Sequence, residues 1–286
     1  MAIDKSKPVL ITGCSTGIGK ASAQRLAKAG WKVIATARNT ETLSDLSALG
    51  CETLPLDVAD DASMESAVES IEASHGSIGA LVNNAGYSQS GAVESVPLDQ
   101  ARAQFETNVF GLARLSQLVL PGMRNAGSGR ILNISSMGGK LVIPGGGWYH
   151  ATKYAVEALS DAMRFEVAPF GIDVVIIEPG AIKTEFGETA VKAIGQTDDS
   201  GPYGSFNSKM GQATLDAYEK GPLKVLGGQP DDVAKVIEKA LKARKPKPRY
   251  KVTASAHMFV GTRRMMSDRM WDRFIGAQIP KPGPDS

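Results

Sequence analysis

The chain has 286 residues, 42% hydrophobic and 22% charged, which is ordinary for a soluble globular protein and ample for one large core. Its 32 basic and 30 acidic residues are spread along the chain and leave a formal charge of +2, so nothing calls for nucleic acid or an anionic membrane as partner. Met1 to Pro8 has no apolar core of signal-peptide length, no stretch approaches the ~18 uncharged apolar residues of a membrane span, and Cys14 and Cys51 suit neither zinc nor a disulfide framework; a cytoplasmic protein of one domain, residues 1–286, is expected.

From Pro8 onward short β-branched runs alternate with segments of helical spacing. Val9–Ile11 precedes a helix over Ile18 to Lys28, Lys32 to Ala37 precedes Thr40 to Ala48, and Thr53 to Asp57 precedes Ala62 to Ser74. Ala80–Val82 leads into a long helix from Leu98 to Asn125, Arg130 to Ser135 into Tyr149 to Ala168, and Asp173 to Ile177 closes the series. Such runs bounded by Gly, Pro or Asn are buried parallel strands joined by crossover helices, and the predicted fold is α/β, a doubly wound Rossmann-type sheet.

After Pro179 the pattern loosens. Residues 185–228, rich in Gly, Ser, Asp and Lys, read as a mobile substrate loop with one helix near Met210 to Lys220. Pro230 to Ala243 opens with Pro-Asp-Asp, good first-turn chemistry for a helix, and Tyr250 to Thr253 reads as a further strand. The basic run between Lys242 and Lys251 contains Pro246 and Pro248 and is expected as a solvated connector. Ala256 to Gly276 is one amphipathic helix with Met258, Phe259, Met265, Met266, Met270, Trp271 and Phe274 on its apolar side, and residues 277–286 read as a flexible tail.

The first strand runs into Thr12-Gly13-Cys14-Ser15-Thr16-Gly17-Ile18-Gly19. Glycines there let the backbone bend and let a pyrophosphate approach main-chain N–H groups at a helix N-terminus, although a glycine-rich loop can also be merely a tight turn. The spacing Gly13-x-x-x-Gly17-x-Gly19 resembles that of the classical short-chain dehydrogenase/reductase family, in its steroid and retinol dehydrogenase-like branch. Asp57-Val58 matches the family's pair against the adenine, and Asn83-Asn84-Ala85-Gly86 matches the element that braces the sheet and lines the cofactor site. The resemblance extends to Glu178-Pro179-Gly180-Ala181-Ile182-Lys183-Thr184, where it implies that the backbone near Ile182 and the Thr184 hydroxyl hold the nicotinamide carboxamide for pro-S transfer.

Tyr149 and Lys153 are four residues apart, one above the other on a helix face. Alone, such a pair is common on solvated helices; here Ser136 lies 13 residues upstream of Tyr149, the family's interval. A phenol is a suitable proton carrier for a developing alkoxide if a nearby cation lowers its pKa, which Lys153 would do, while Ser136 would hydrogen-bond the substrate oxygen. Ser135 is read as structural. Asn108 resembles the family's helix asparagine, whose backbone carbonyl holds a water linking Lys153 to solvent; the alternative is a buried Asn at a helix irregularity. His150 is read as structural or rim-lining, Glu178 and Asp161 as lacking partners at plausible spacing, and His75, His150 and His257 as unpaired with carboxylates, so no metal site is expected.

Cofactor choice rests on Ala37-Arg38 at the end of the second strand. An acid at position 37 would suit NAD; Ala37 followed by the Arg38 guanidinium suits the 2′-phosphate of NADP(H), while Arg38 as a loop residue stacking on adenine would suit either cofactor. Lys20 is expected to aim at solvent. Val142, Ile143, Pro144, Trp148, Phe186 and Met210 suggest an apolar small-molecule pocket, fitting steroid, retinoid, lipid or aromatic carbonyls. The resemblance further implies a homodimer or homotetramer through the two long helices. Two other functions share the motifs: an NADP(H)-sensing regulator without turnover, and a sugar-nucleotide epimerase or dehydratase.

Overall fold

The computed structural model describes residues 2–184, 201–219 and 223–283. Seven strands, β1 (Val9–Ile11), β2 (Val33–Ala37), β3 (Glu52–Pro55), β4 (Ala80–Asn83), β5 (Gly129–Ile134), β6 (Ile172–Pro179) and β7 (Arg249–Val252), form one parallel sheet in the order β3-β2-β1-β4-β5-β6-β7. The chain moves outward from β1 on one side, returns and moves outward from β4 on the other. A crevice therefore opens where β1 and β4 diverge at their carboxyl ends, the place where doubly wound sheets bind ligands.

Helices cover both faces. Val9, Ile11, Val33, Ala35, Leu132, Val175 and Ile177 point to one side, beneath α1 (Gly17–Lys28) and a later helix over Pro230–Lys242. Leu10, Ile34, Leu81, Ile131 and Val174 point to the other, beneath α3 (Asp61–His75) and α5 (Gly111–Asn125). The short α2 (Ser44–Ala48) follows a 3-10 turn at Thr40–Leu43. Strands buried on both faces have no polar alternation, which is why they read as unbroken apolar runs.

The predicted helix from Leu98 to Asn125 runs as α4 (Leu98–Phe105), one π-helical turn (Glu106–Phe110) and α5. α6 spans Gly147–Val167. In the expected substrate loop, residues 185–200 and 220–222 lie outside the described residues. The helix there, α7, covers Gly204–Glu219 and so begins six residues before the Met210 expected from sequence, because Phe206 and Met210 bury against Ala92 while Asn207 Oδ1 accepts from Ala92 N–H at 2.9 Å. After the short α8 (Leu223–Leu226), α9 (Pro230–Lys242) starts with a capping box between Gln229 and Asp232.

The helix expected from Ala256 to Gly276 is two helices, α10 (Ala254–Met265) and α11 (Asp268–Gly276), because Ser267 caps a new N-terminus by accepting from Met270 N–H. Its apolar side divides accordingly. Trp271 is buried with Phe259, Met266 and Phe274 packed around it, whereas Met258, Met265 and Met270 are exposed. In the expected tail, Ile279 packs against the same cluster. The basic connector also differs: Arg249 is turned inward to Glu157, Asp161 and Glu178 rather than solvated.

Candidate active site

The phosphate turn is held by its neighbour strand. Thr12 Oγ1 accepts from the N–H groups of Asn84 and Ala85 at 3.0 and 2.9 Å, and the Asn84 amide donates to the carbonyls of Thr12 and Gly13 at 2.9 and 3.1 Å. These bonds lock the ends of β1 and β4 together around the crevice. Gly19 is obligatory because a Cβ there would sit 2.2 Å from the Gly13 carbonyl oxygen, and Gly13 and Gly17 have φ of +70° and +58°. Thr16, at the N-cap of α1, makes no side-chain cap bond, and the first turn carries no acid. An uncapped helix N-terminus presents N–H groups and a favourable dipole to an anion.

A cleft of about 460 Å³ begins at this turn. One end is lined by Arg38, Asp57 and Val58, the middle by Gly13, Ser15, Thr16, Gly17, Ile18, Asn84, Ala85 and Gly86, and the other end by Ser136, Tyr149, Lys153, Pro179, Gly180, Ile182 and Thr184. The fold thus brings nearly every sequence-predicted site residue to one surface. Arg38 is exposed and makes no ion pair among the described residues, so its guanidinium faces the cleft end uncommitted. Asp57 Oδ1 accepts from Ala59 N–H at 3.0 Å and shapes the turn after β3. The uncapped helix and the length of the cleft together fit a dinucleotide.

At the far end Lys153 is buried, its Nζ donates to the Ile134 carbonyl at 2.9 Å, and it lies 5.8 Å from the Tyr149 ring centroid. Burial pulls its pKa down to about 8, partly opposed by the Glu157 carboxylate one turn along α6. Ser136 caps the short 3-10 turn Met137–Gly139, its Oγ accepting from Gly138 N–H at 3.0 Å. Ser135 is buried, and its hydroxyl has no hydrogen-bond partner among the described residues.

Asn108 does not itself line the cleft. It is buried in the π turn, where its amide donates to Tyr87 C=O at 2.9 Å and Thr152 Oγ1 at 3.1 Å while its Oδ1 accepts from Tyr87 N–H at 3.0 Å. The side chain fastens Gly86-Tyr87 to α6, and Gly86 leaves room for it: a Cβ there would lie 3.0 Å from Asn108 Oδ1 and 3.9 Å from Lys153 Nζ.

His150 also lines the cleft, but both ring nitrogens are engaged, with Nδ1 2.9 Å from the Gly138 carbonyl and Nε2 accepting from Ile143 N–H at 3.1 Å. These partners specify the neutral Nδ1–H tautomer, and burial lowers its pKa. Three expectations are corrected. Glu178 and Asp161 do have partners, brought from far away in sequence: Arg249 lies 3.3 Å from Glu178 and pairs with Asp161 as well. His75 pairs with the Glu52 carboxylate at 2.7 Å across the β3 edge, although no metal-binding cluster occurs among the described residues. Trp148 and Ile143 turn away from the cleft, Trp148 edge-on to Phe105 with ring centroids 6.4 Å apart and Ile143 into the Leu141–Trp271 cluster. Phe186 lies outside the described residues. Tyr87, Thr107 and Met137 line the cleft without having been singled out from sequence; the signal for each was its neighbour, Gly86, Asn108 or Ser136.

The family model for short chain dehydrogenases matches residues 7–194. The chain belongs to that family. This short-chain dehydrogenase is an oxidoreductase by membership, and several of its solved and curated relatives span nearly its whole length. A short-chain dehydrogenase from Streptomyces avermitilis superimposes with a TM-score of 0.78 at 35% identity, covering 94% of each chain. An NADPH-dependent 3-dehydrocapnine reductase of Ornithobacterium rhinotracheale is 34% identical over 95% of this chain and 97% of its own. The 17-beta-hydroxysteroid dehydrogenase type 1 of Homo sapiens is 35% identical over 86% of this chain and 77% of its own. No helix of the short-chain dehydrogenase among the described residues is long and apolar enough to cross a membrane.

Proposed function

We infer that the protein moves a hydride between NADP(H) and the carbinol or carbonyl carbon of a small apolar substrate. The observation that carries this reading is the cleft itself, with an uncommitted guanidinium at one end and Ser136, Tyr149 and Lys153 at the other. The nicotinamide, when bound, supplies or accepts the hydride. Tyr149 gives its phenolic proton to the carbonyl oxygen in reduction and takes it back in oxidation. Lys153 favours the phenolate by its charge, in a site where burial strengthens the interaction, and Ser136 donates a hydrogen bond to the oxygen on which charge develops. Arg38 receives the 2′-phosphate, the uncapped start of α1 the pyrophosphate, and the backbone near Ile182 with the Thr184 hydroxyl the nicotinamide end.

An NADPH-dependent reductase and a hydroxysteroid dehydrogenase among the relatives support both the cofactor and an apolar carbonyl or alcohol as substrate. We place the protein in the cytoplasm as a homodimer or homotetramer, paired through α4–α5 and α6, where Phe110, Tyr154, Leu159 and Phe165 are exposed; sedimentation at micromolar concentration should give a dimer or larger, and a monomer would count against it. The activity is tested by following NADPH oxidation with aldehydes, ketones, quinones and steroids. Turnover of an apolar carbonyl is expected, and uniform silence with tight cofactor binding would favour a sensing regulator instead.

A further inference from the structure

Where Pro179–Thr184 leaves β6, its main chain is tied from behind by two distant parts of the chain. Gly180 N–H donates to Val252 C=O at 3.0 Å, Lys183 N–H to Gly228 C=O at 2.9 Å, and Ala181 C=O accepts from Gly228 N–H at 2.9 Å. Ala181 N–H donates to Ser255 Oγ at 3.1 Å. Ser255 is fully buried, and its hydroxyl lies 2.8 Å from Thr253 Oγ1. Thr253 has φ +85°, the single non-glycine residue at positive φ among the described residues. A β-branched residue there is strained and persists only where its surroundings hold it. They do so tightly: a Cβ on Gly180 would lie 2.3 Å from Ser255 Oγ, and one on Gly228 2.8 Å from Thr253 Cγ2.

Ile182 pairs with Gly228 as a parallel bridge. In extended backbone successive N–H groups point to opposite sides, so bonds from residues 181 and 183 to Gly228 turn the Ile182 N–H the other way, toward the cleft. Ile182 is buried and lines the cleft, and its N–H has no hydrogen-bond partner among the described residues. An N–H on the cleft wall is thus available to an acceptor on whatever fills the cleft.

We propose that Gly228, Thr253 and Ser255 form a bracket that holds Ala181 and Lys183 from behind and so presents the Ile182 N–H to the nicotinamide end of the cofactor. Thr253 and Ser255 are positioning residues, and the bracket rests on the reading that Pro179–Thr184 receives the nicotinamide.

The test compares two ligands, NADPH and 2′-phospho-ADP-ribose, which keeps the adenosine and pyrophosphate groups but has no nicotinamide. Ser255→Ala should weaken NADPH by about 5- to 10-fold, the size of one hydrogen bond, while the fragment changes by less than about twofold. Thr253→Gly should show the same split with a melting temperature close to the parent's, since glycine relieves the positive φ as it removes the helix-capping hydroxyl; it serves if Ser255→Ala does not fold. Equal weakening of both ligands, or unchanged NADPH affinity in either folded variant, would overturn the bracket. Failure of the parent to bind either ligand would instead remove the dinucleotide reading, and the bracket with it.

Discussion

At the level of single side chains the proposed chemistry depends on Tyr149. Tyr149→Phe should keep the fold and NADPH binding and reduce turnover by about 10²- to 10⁴-fold, the usual contribution of one general acid, measured as kcat with the best substrate; activity near the parent's would exclude the assignment. Lys153 titrates in a useful window. Burial, its largest influence, lowers its pKa to about 8, below the ordinary lysine value near 10.4, so between these limits the unfolded chain binds more protons than the folded one. Stability must rise with pH through that window. Denaturant titrations from pH 7.5 to 10 should show this gain in the parent and lose it in Lys153→Met, and parallel curves would contradict the burial effect. On the proposed reading Arg38 governs cofactor choice: Ala37→Asp/Arg38→Ala should lower the kcat/KM ratio of NADPH over NADH by about 10- to 100-fold, the worth of one charge-assisted contact, and an unchanged ratio would assign Arg38 to adenine stacking.

Among the elements, the π turn at Glu106–Phe110 decides how well two sides of the cleft are joined. It swings Asn108 to reach Tyr87 and Thr152 together, tying the loop after β4 to α6. Asn108→Ala should cost about 1–3 kcal/mol in denaturant unfolding, because the Tyr87 N–H loses its acceptor and the Tyr87 carbonyl is left with Gln104 Nε2 as donor, and a loss below about 0.5 kcal/mol would mean that water replaces Asn108. The inner strands and the helices after them were legible because burial on both faces forbids polar interruption and a crossover helix must follow, whereas the edge strands β3 and β7 are half-exposed and carry Glu52, Thr53, Arg249 and Lys251. Residues within one motif were legible for the same local reason, as Gly19 and the Tyr149–Lys153 turn illustrate. Contacts between remote segments were not. Nothing near Arg249 announces Glu178, nothing near His75 announces Glu52, and Ser255 lies 74 residues from the Ala181 it supports. The break at Ser267 was hidden for another reason: both helices bury apolar residues against Leu141, so one hydrophobic pattern spans two axes.

Across the whole molecule, the two ends of the sequence meet. Arg25 on α1 pairs with Asp231 and Glu238 on α9, and both helices cover the same apolar face of the sheet. Beneath α9 the fully buried Arg130 donates to the carbonyls of Ala240, Leu241 and Ala243 and pairs with Asp173 at 2.6 Å. Arg130→Met should destabilise the protein by about 1–3 kcal/mol in urea titration, because the last carbonyls of α9 lose their donor while Asp173, 38% exposed, is left to solvent; a small effect would mean that the helix end finds solvent. The join between α1 and α9 also orders events at the ribosome. Val9, Ile11 and Ile177 are made long before Val233, Ile237 and Leu241 arrive to cover that face. A nascent chain halted before residue 230 would thus carry an almost finished sheet with one oily side only half covered by α1, the state in which a chaperone has most to hold and a neighbouring polysome chain most to stick to.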